Sequence, residues 1–349
     1  MSAEARLPRA VILGCAGERL TAAEAAFFAA ADPLGFILFR RNCRNRDQLG
    51  ALVATLRAAV GRADAPVLVD QEGGRVARLR PPEWRAYPAA AALAALPDPL
   101  AAEAVRLEAR LIAADLAEIG VTVDCAPVLD LPAAGADPVI GDRAYGGEPA
   151  RVAALGQAFC DGLLAGGVLP VIKHIPGHGR AQVDSHRECP RVAAGKAVLA
   201  ATDFAPFRAL AAMPWAMTAH VVFSAIDESA PATFSRRVVD TIIRGEIGFA
   251  GVLLSDDISM GALTGSLAER AGRALDAGCD LVLHCTGIFT EMVEVADFVP
   301  MISAAAEARI ARGEALRRRA DTAFDRVEAA ARFAALRSPI AAGARRSVA

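Results

Sequence analysis

The segment KHIPGHGRAQVDSHRECP, residues 173–190, concentrates side chains that could do chemistry. It holds three of the five histidines in the chain, together with a lysine and an aspartate. Asp184 and His186 lie two residues apart within it, which predicts that the carboxylate accepts a hydrogen bond from the imidazole. Such a bond fixes the tautomer of a histidine and raises its basicity. The spacing therefore predicts a general acid or base.

A divalent-metal site is the alternative interpretation of the same segment. Its candidate ligands carry imidazole or carboxylate groups and are His174, His178, Asp184 and His186. They would serve a metal-dependent hydrolase. However, two of these histidines lie on a Pro-Gly turn and not on the helical repeat of a familiar zinc site. We therefore expect neither a metal nor another cofactor, and we keep the metal-dependent hydrolase as the alternative.

Two adjacent carboxylates, Asp256 and Asp257, occur in the segment SDDISM at the end of an apolar run. Side chains alternate between the two faces of a strand, so we expect one carboxylate to face a pocket. The other would cap the turn that follows. A carboxylate that faces a pocket can act as a covalent nucleophile.

Eight short apolar runs must position these groups. They cover residues 10–14, 35–39, 66–70, 120–130, 169–174, 215–223, 251–257 and 279–285. Runs that are apolar on both faces are typical of parallel strands. Ala-rich amphipathic segments separate them, one of which opens with the capping box Thr21 and Glu24. The pattern predicts an α/β fold, a single-domain (β/α)8 TIM barrel over 1–340, with a frayed tail at 341–349. An open doubly wound sheet is the runner-up.

Polar residues at the ends of the apolar runs favour the barrel, because barrel active sites form at the carboxyl ends of the strands. Six runs end in this way, at Asp70, Asp130, Lys173 with His174, His220, Asp256 with Asp257, and His284. We therefore expect these side chains to meet at one face.

The amino-acid composition limits the classes of molecule that the protein is expected to bind. The chain has 349 residues, 54% of them hydrophobic, and a formal net charge of −2, which excludes general disorder and a basic surface for nucleic acid or anionic membrane. No apolar stretch approaches the roughly 18 residues of a membrane span. Seven scattered cysteines without a C-x-x-C pair predict reduced thiols and a cytoplasmic location. We expect a small-molecule substrate, no nucleic acid or membrane partner, and a monomer or homodimer.

These segments resemble the bacterial β-N-acetylglucosaminidases of glycoside hydrolase family 3, the cytoplasmic enzymes of cell-wall recycling. The shared motifs follow the family's order along nearly the whole chain: GFILFRRN, DQEGGRVARLR, VIGDRAYG, KHIPGHGRAQVDSHRECP, MTAHVVF, GVLLSDDISMGAL and ALDAGCD. The resemblance implies a single barrel that hydrolyses terminal non-reducing β-linked N-acetylglucosamine with retention. It also implies a muropeptide substrate that carries anhydro-N-acetylmuramic acid.

The same resemblance implies residue roles. Asp256 corresponds to the nucleophile, and Asp184 with His186 to an unusual acid/base dyad. The residues that grip the sugar in the −1 subsite correspond to Asp70, Arg78, Arg143, Lys173 and His174. If the neighbours Lys173 and His174 both face the sugar, side-chain alternation must break there, which predicts an irregular backbone.

Three positions depart from the family's pattern, namely Gly261 in place of an acidic residue, and His284 and Thr286 after the eighth run. We expect them to alter the rim of the pocket. A neutral His186 would also not repel an anionic acceptor, which leaves phosphate open beside water. A non-catalytic sugar-binding relative is a third interpretation, but the presence of both Asp256 and the dyad argues against it.

Overall fold

The computed structural model describes residues 7–321 and 323–346, and its centre is a closed barrel of eight parallel strands. In chain order they are β1 (Arg9–Leu13), β2 (Pro33–Leu38), β3 (Val67–Val69), β4 (Val123–Asp124), β5 (Leu169–Ile175), β6 (Trp215–Thr218), β7 (Val252–Asp257) and β8 (Leu281–His284). Each strand pairs with the next along the chain, and β8 pairs with β1 in the register Val11 to Val282. The predicted (β/α)8 barrel is confirmed, and the open doubly wound sheet is wrong.

All eight predicted runs supply a strand, but two runs are only partly strand. In the run 120–130 the strand ends at Asp124, and an isolated bridge from Val128 to Lys173 continues the contact with β5. Pro127 has no N–H to donate to a ladder, which accounts for the interruption. In the run 215–223 the barrel strand ends at Thr218, and Val222–Phe223 pairs instead with Arg191–Val192.

Helices follow the strands and enclose the barrel. The α-helices are Ala22–Ala31, Arg46–Ala59, Ala90–Ala94, Leu100–Glu118, Pro149–Ala165, Lys196–Ala201, Phe204–Ala209, Leu267–Ala277, Phe289–Phe298, Ala304–Arg317 and Arg326–Arg346. A π-helical segment spans Val238–Glu246, and short 3₁₀ turns span Arg40–Asn42, Gly141–Arg143 and Ala232–Phe234. The predicted capping box is present, because Thr21 Oγ1 accepts from the Glu24 N–H and Glu24 accepts from the Thr21 N–H.

The last helix, Arg326–Arg346, continues past the boundary predicted at residue 340. Residues 341–346 form the end of this helix, and the domain boundary at 340 with a frayed tail at 341–349 stays a prediction. Residues 347–349 lie outside the described residues. Within the described part of the chain, none of the helices combines the length and the apolar character that crossing a bilayer requires.

Candidate active site

A cavity of about 270 Å³ opens where the carboxyl ends of the barrel strands meet. Seven of the eight predicted site residues line it, namely Asp70, Arg78, Arg143, Lys173, His174, His186 and Asp256. The eighth, Asp184, lies behind His186 and contacts its ring. The fold thus brings together residues that are up to 186 positions apart in the sequence.

Two carboxylates and three cations form one network on a wall of this cavity. Lys173 Nζ lies 2.9 Å from Asp70 Oδ1 and 2.7 Å from Glu72 Oε1. Arg78 donates to the other oxygen of Asp70 at 2.8 Å, and Arg143 donates to both oxygens of Glu72, each at 2.8 Å. The network holds its hydrogen-bonding groups in fixed positions around the space for a ligand.

All members of this network are charged at neutral pH. Burial alone would raise the pKa of Asp70 and of Glu72, but the adjacent cations outweigh it and lower the pKa of Glu72 to about 2. Burial likewise opposes the charge of Lys173, yet the two carboxylates raise the pKa of its ammonium above the usual value. The site therefore offers an ionised acceptor and several cationic donors, which suits the hydroxyl and amide groups of a sugar.

The backbone of β5 is irregular where the sequence predicts it. The Lys173–His174 peptide bond is cis, and the register of β5 with β6 shifts between Lys173 and Ile175. Both Lys173 and His174 line the cavity. The prediction that two adjacent polar residues require a break in alternation is confirmed.

Asp130, at the end of the fourth run, orients His174 and the loop after β5. Its Oδ2 lies 2.7 Å from His174 Nδ1, and its Oδ1 accepts from the His178 N–H at 2.7 Å. His178 Nε2 in turn lies 2.9 Å from Ser185 Oγ. Burial, together with the neighbouring His174, lowers the pKa of His178 to about 4, so that its ring is neutral at neutral pH.

The predicted hydrogen bond between Asp184 and His186 is present, with His186 Nδ1 2.7 Å from Asp184 Oδ1. The same carboxylate oxygen accepts from the His186 N–H at 2.9 Å. Burial would raise the pKa of Asp184, but these hydrogen bonds hold it below the usual value. Because Nδ1 donates to a carboxylate, Nε2 is the ring nitrogen that can exchange a proton with a ligand. The side chain of His186 is 63% exposed, so solvent can also reach it.

The adjacent aspartates at the end of β7 differ in their hydrogen bonds. Asp257 accepts from the Ser259 N–H and hydroxyl at 3.0 and 2.7 Å, so it caps the turn as expected. Among the residues that the structure describes, Asp256 accepts only from the Asp257 N–H, at 2.8 Å. Both residues are among those that line the cavity, and hydrogen bonds to Ser259 hold the Asp257 carboxylate at the turn. The register between β7 and β8 shifts between Leu254 and Asp257, which interrupts the alternation.

Asp256 is ionised at neutral pH. Burial would raise its pKa, but His220, His174, the Asp257 N–H and Lys173 together lower it. His220 is fixed by hydrogen bonds of 2.7 Å to Thr233 Oγ1 and 3.0 Å to the Asp257 carbonyl oxygen. An anionic carboxylate with a single internal hydrogen bond is available to attack an electrophile.

Some lining residues are absent from the predicted site. Glu72 had a signal in the sequence, since it lies in the same Gly-Gly segment as Asp70. The apolar residues that form one wall of the cavity had no such signal in the sequence, because they resemble core residues in type and spacing. It comprises Ile37, Phe39, Val76, Val139, Ile140, Met217, Met260 and Leu283.

The four candidate metal ligands do not converge. His174 pairs with Asp130, His178 with Ser185, and His186 with Asp184. Among the residues that the structure describes, no three histidine, cysteine, aspartate or glutamate side chains form a group suited to a metal ion. Each of the three histidines therefore has a hydrogen-bonding partner of its own.

The three departures from the family pattern occupy different places. His284 Nε2 and Thr286 Oγ1 contact Glu291 Oε2 at 3.2 and 2.6 Å, and neither residue lines the cavity. That these positions alter the rim of the pocket stays a prediction. Gly261 packs against the backbone of His186.

Comparison with known proteins agrees with this geometry. The N-terminal domain of glycosyl hydrolase family 3 matches residues 15–328. A curated beta-hexosaminidase of Alkalilimnicola ehrlichii is 41% identical over 282 residues, 79% of this chain and 80% of that protein. One of Aromatoleum aromaticum is 40% identical over 323 residues, 90% of this chain and 88% of that protein.

Solved structures agree as well. NagZ from Neisseria gonorrhoeae in complex with N-trifluoroacetyl-D-glucosamine superposes with a TM-score of 0.84 at 33% identity, over 95% of this chain and 99% of that one. A family 3 β-N-acetylglucosaminidase from Paenibacillus has a TM-score of 0.76 at 32% identity, over 95% of this chain and 61% of that one. The chain belongs to glycoside hydrolase family 3 and is a glycoside hydrolase of the β-N-acetylhexosaminidase type.

Proposed function

We propose that the protein is a retaining enzyme that removes terminal non-reducing β-linked N-acetylglucosamine. One observation carries the proposal: an ionised carboxylate, Asp256, and a carboxylate-bound imidazole, His186, line the same cavity. A retaining glycosidase needs these two functions, a nucleophile and a proton donor that later acts as a base. The names of the relatives and the N-trifluoroacetyl-D-glucosamine bound to the Neisseria protein support the choice of sugar.

In the first step, the Asp256 carboxylate attacks the anomeric carbon and the glycosidic bond breaks. Protonated His186 gives its Nε2 proton to the departing oxygen, which leaves as a neutral alcohol. In the second step, neutral His186 takes a proton from water while the water oxygen attacks the anomeric carbon. The bond to Asp256 then breaks, the carboxylate returns and the sugar leaves with its original configuration.

The charged network would hold the sugar ring during both steps. Asp70 can accept hydrogen bonds from ring hydroxyls, because its carboxylate stays ionised. Arg78, Arg143, Lys173 and His174 line the same cavity and can donate to hydroxyls or to the acetamido carbonyl. These five residues form the proposed −1 subsite.

The proposed natural substrate is an N-acetylglucosaminyl muropeptide that carries anhydro-N-acetylmuramic acid, met in the cytoplasm during peptidoglycan recycling. The resemblance of the motifs to recycling enzymes supports this assignment. All seven cysteines are free thiols, six of them buried, as suits a reducing compartment. We propose a monomer or homodimer without nucleic acid or membrane partners.

The test is turnover of an aryl β-N-acetylglucosaminide with and without a chelator. We expect hydrolysis that the chelator does not change, because Asp256 and His186 supply every chemical role. The aryl α-N-acetylglucosaminide is the matched control, and it should not be cleaved. Activity that is lost in chelator and returns with a divalent ion would contradict the proposal and support a metal-dependent hydrolase.

A further inference from the structure

The loop that carries His186 is bonded to the segment that follows the strand of Asp256. The Gly261 N–H donates to the His186 carbonyl oxygen at 3.1 Å, and the Ala262 N–H donates to the Ser185 carbonyl oxygen at 3.1 Å. Two consecutive backbone hydrogen bonds thus join the loop to residues 261 and 262, which follow the end of β7 after a short turn. The contact links the position of the proposed acid/base to that of the proposed nucleophile.

This contact has no room for a side chain at Gly261. A Cβ there would lie 2.8 Å from the carbonyl oxygens of both His186 and Arg187, and 3.0 Å from the Arg187 carbonyl carbon. Favourable contacts between non-bonded heavy atoms need about 3.5 Å, so the loop backbone would have to move. Gly261 does not have a positive φ, so in this chain space and not backbone conformation is what restricts a side chain at this position.

Other contacts of the loop do not replace this one. The side chain of His186 is 63% exposed and therefore has little packing to hold it. Its hydrogen bond to Asp184 lies within the loop and moves with it. Further hydrogen bonds, from the Ala133 N–H to the Gly179 carbonyl oxygen, from Arg180 to Asp203 and from the Val222 N–H to the Pro190 carbonyl oxygen, hold the two ends of the loop and not the stretch at His186. The distance from His186 to the end of β7 thus depends on the approach at Gly261.

We infer that Gly261 is a positioning residue for the reaction, because its missing side chain lets the loop lie close enough for His186 to reach the leaving oxygen. The inference rests on the proposed acid/base role of His186. A misplacement of about 1 Å can cost roughly 100-fold in rate. Only the rates of the steps in which the His186 imidazole transfers a proton should be lowered by this displacement.

The test is Gly261→Ala. With a phenyl leaving group of high pKa, we expect the rate of glycosyl-enzyme formation to fall roughly 10- to 100-fold. With a dinitrophenyl leaving group, which needs no proton, that rate should change less than about two-fold, as should the inhibition constant of N-acetylglucosamine. In a His186→Ala background, the added Gly261→Ala change should have no further effect on the phenyl substrate.

Gly195→Ala is the matched control. Gly195 lies at the start of the helix Lys196–Ala201 with φ −64°, and a Cβ there has no atom within 4 Å. This variant should retain wild-type rates with both substrates.

Equal losses with both leaving groups, or an unfolded Gly261→Ala protein, would show that the glycine is merely structural and would overturn the inference. Unchanged rates with both would overturn it too. The proposed function fails separately, if His186→Ala alone shows no dependence on the leaving group.

Discussion

Asp256→Ala should abolish turnover, with kcat reduced on the order of 10⁴- to 10⁶-fold, as when other enzymes lose a covalent nucleophile. Asp256 is ionised and lines the cavity, and within the described part of the chain its only hydrogen-bond donor is the Asp257 N–H. Without this carboxylate the proposed glycosyl-enzyme bond cannot form, because the Asp257 carboxylate is engaged in capping the turn. The measurement is kcat on an aryl β-N-acetylglucosaminide, with added azide as a small external nucleophile. Azide should restore partial activity and yield the α-glycosyl azide.

Asp257→Ala is the control for this prediction. The Asp257 carboxylate caps a turn through Ser259 and also accepts from the Cys285 N–H. Its loss should lower the free energy of unfolding by about 1–2 kcal/mol, as for other caps, and leave substantial turnover. If Asp257→Ala abolished turnover while Asp256→Ala only lowered stability, the nucleophile would be Asp257.

His186→Ala should have an effect that depends on the leaving group. General acid catalysis is typically worth 10²- to 10⁴-fold, and we expect that loss for a sugar leaving group of high pKa. A dinitrophenolate leaves as a stable anion, so formation of the glycosyl-enzyme should be nearly unchanged. Hydrolysis of that intermediate would still lack its base. Stopped-flow measurement of dinitrophenol release should therefore show a burst followed by a slow steady state.

Asp184→Asn should produce a weaker version of the effect of His186→Ala. The imidazole remains but loses the carboxylate that orients it through the 2.7 Å contact, so the same pattern should appear in a milder form. If His186→Ala lowered the pre-steady-state rates equally for good and poor leaving groups, His186 would be a binding or structural residue.

The barrel was predictable because its parallel strands are buried on both faces and appear as apolar runs in the sequence. The full burial of the seven residues of β5 shows this directly. The Asp184–His186 contact was predictable for a related reason, since a separation of two residues allows it locally. The break at Lys173 and His174 followed from two adjacent polar residues that must share a pocket.

Features that depend on contacts between distant segments were not predictable. One such feature is the register shift between β7 and β8 near Asp257, because no local pattern in the sequence indicates it. The role inferred for Gly261 requires the position of a loop about 75 residues earlier in the sequence. The apolar wall, including Phe39 and Met217, looks like ordinary core in the sequence.

Proton NMR of the first-formed product tests the central claim, that Asp256 forms a covalent glycosyl-enzyme, most directly. Spectra recorded within the first minutes of cleaving an aryl β-N-acetylglucosaminide distinguish the two anomers before mutarotation mixes them. Two successive displacements at the anomeric carbon predict β-N-acetylglucosamine as the initial product. Initial appearance of the α anomer would mean a single displacement by water and would contradict the account.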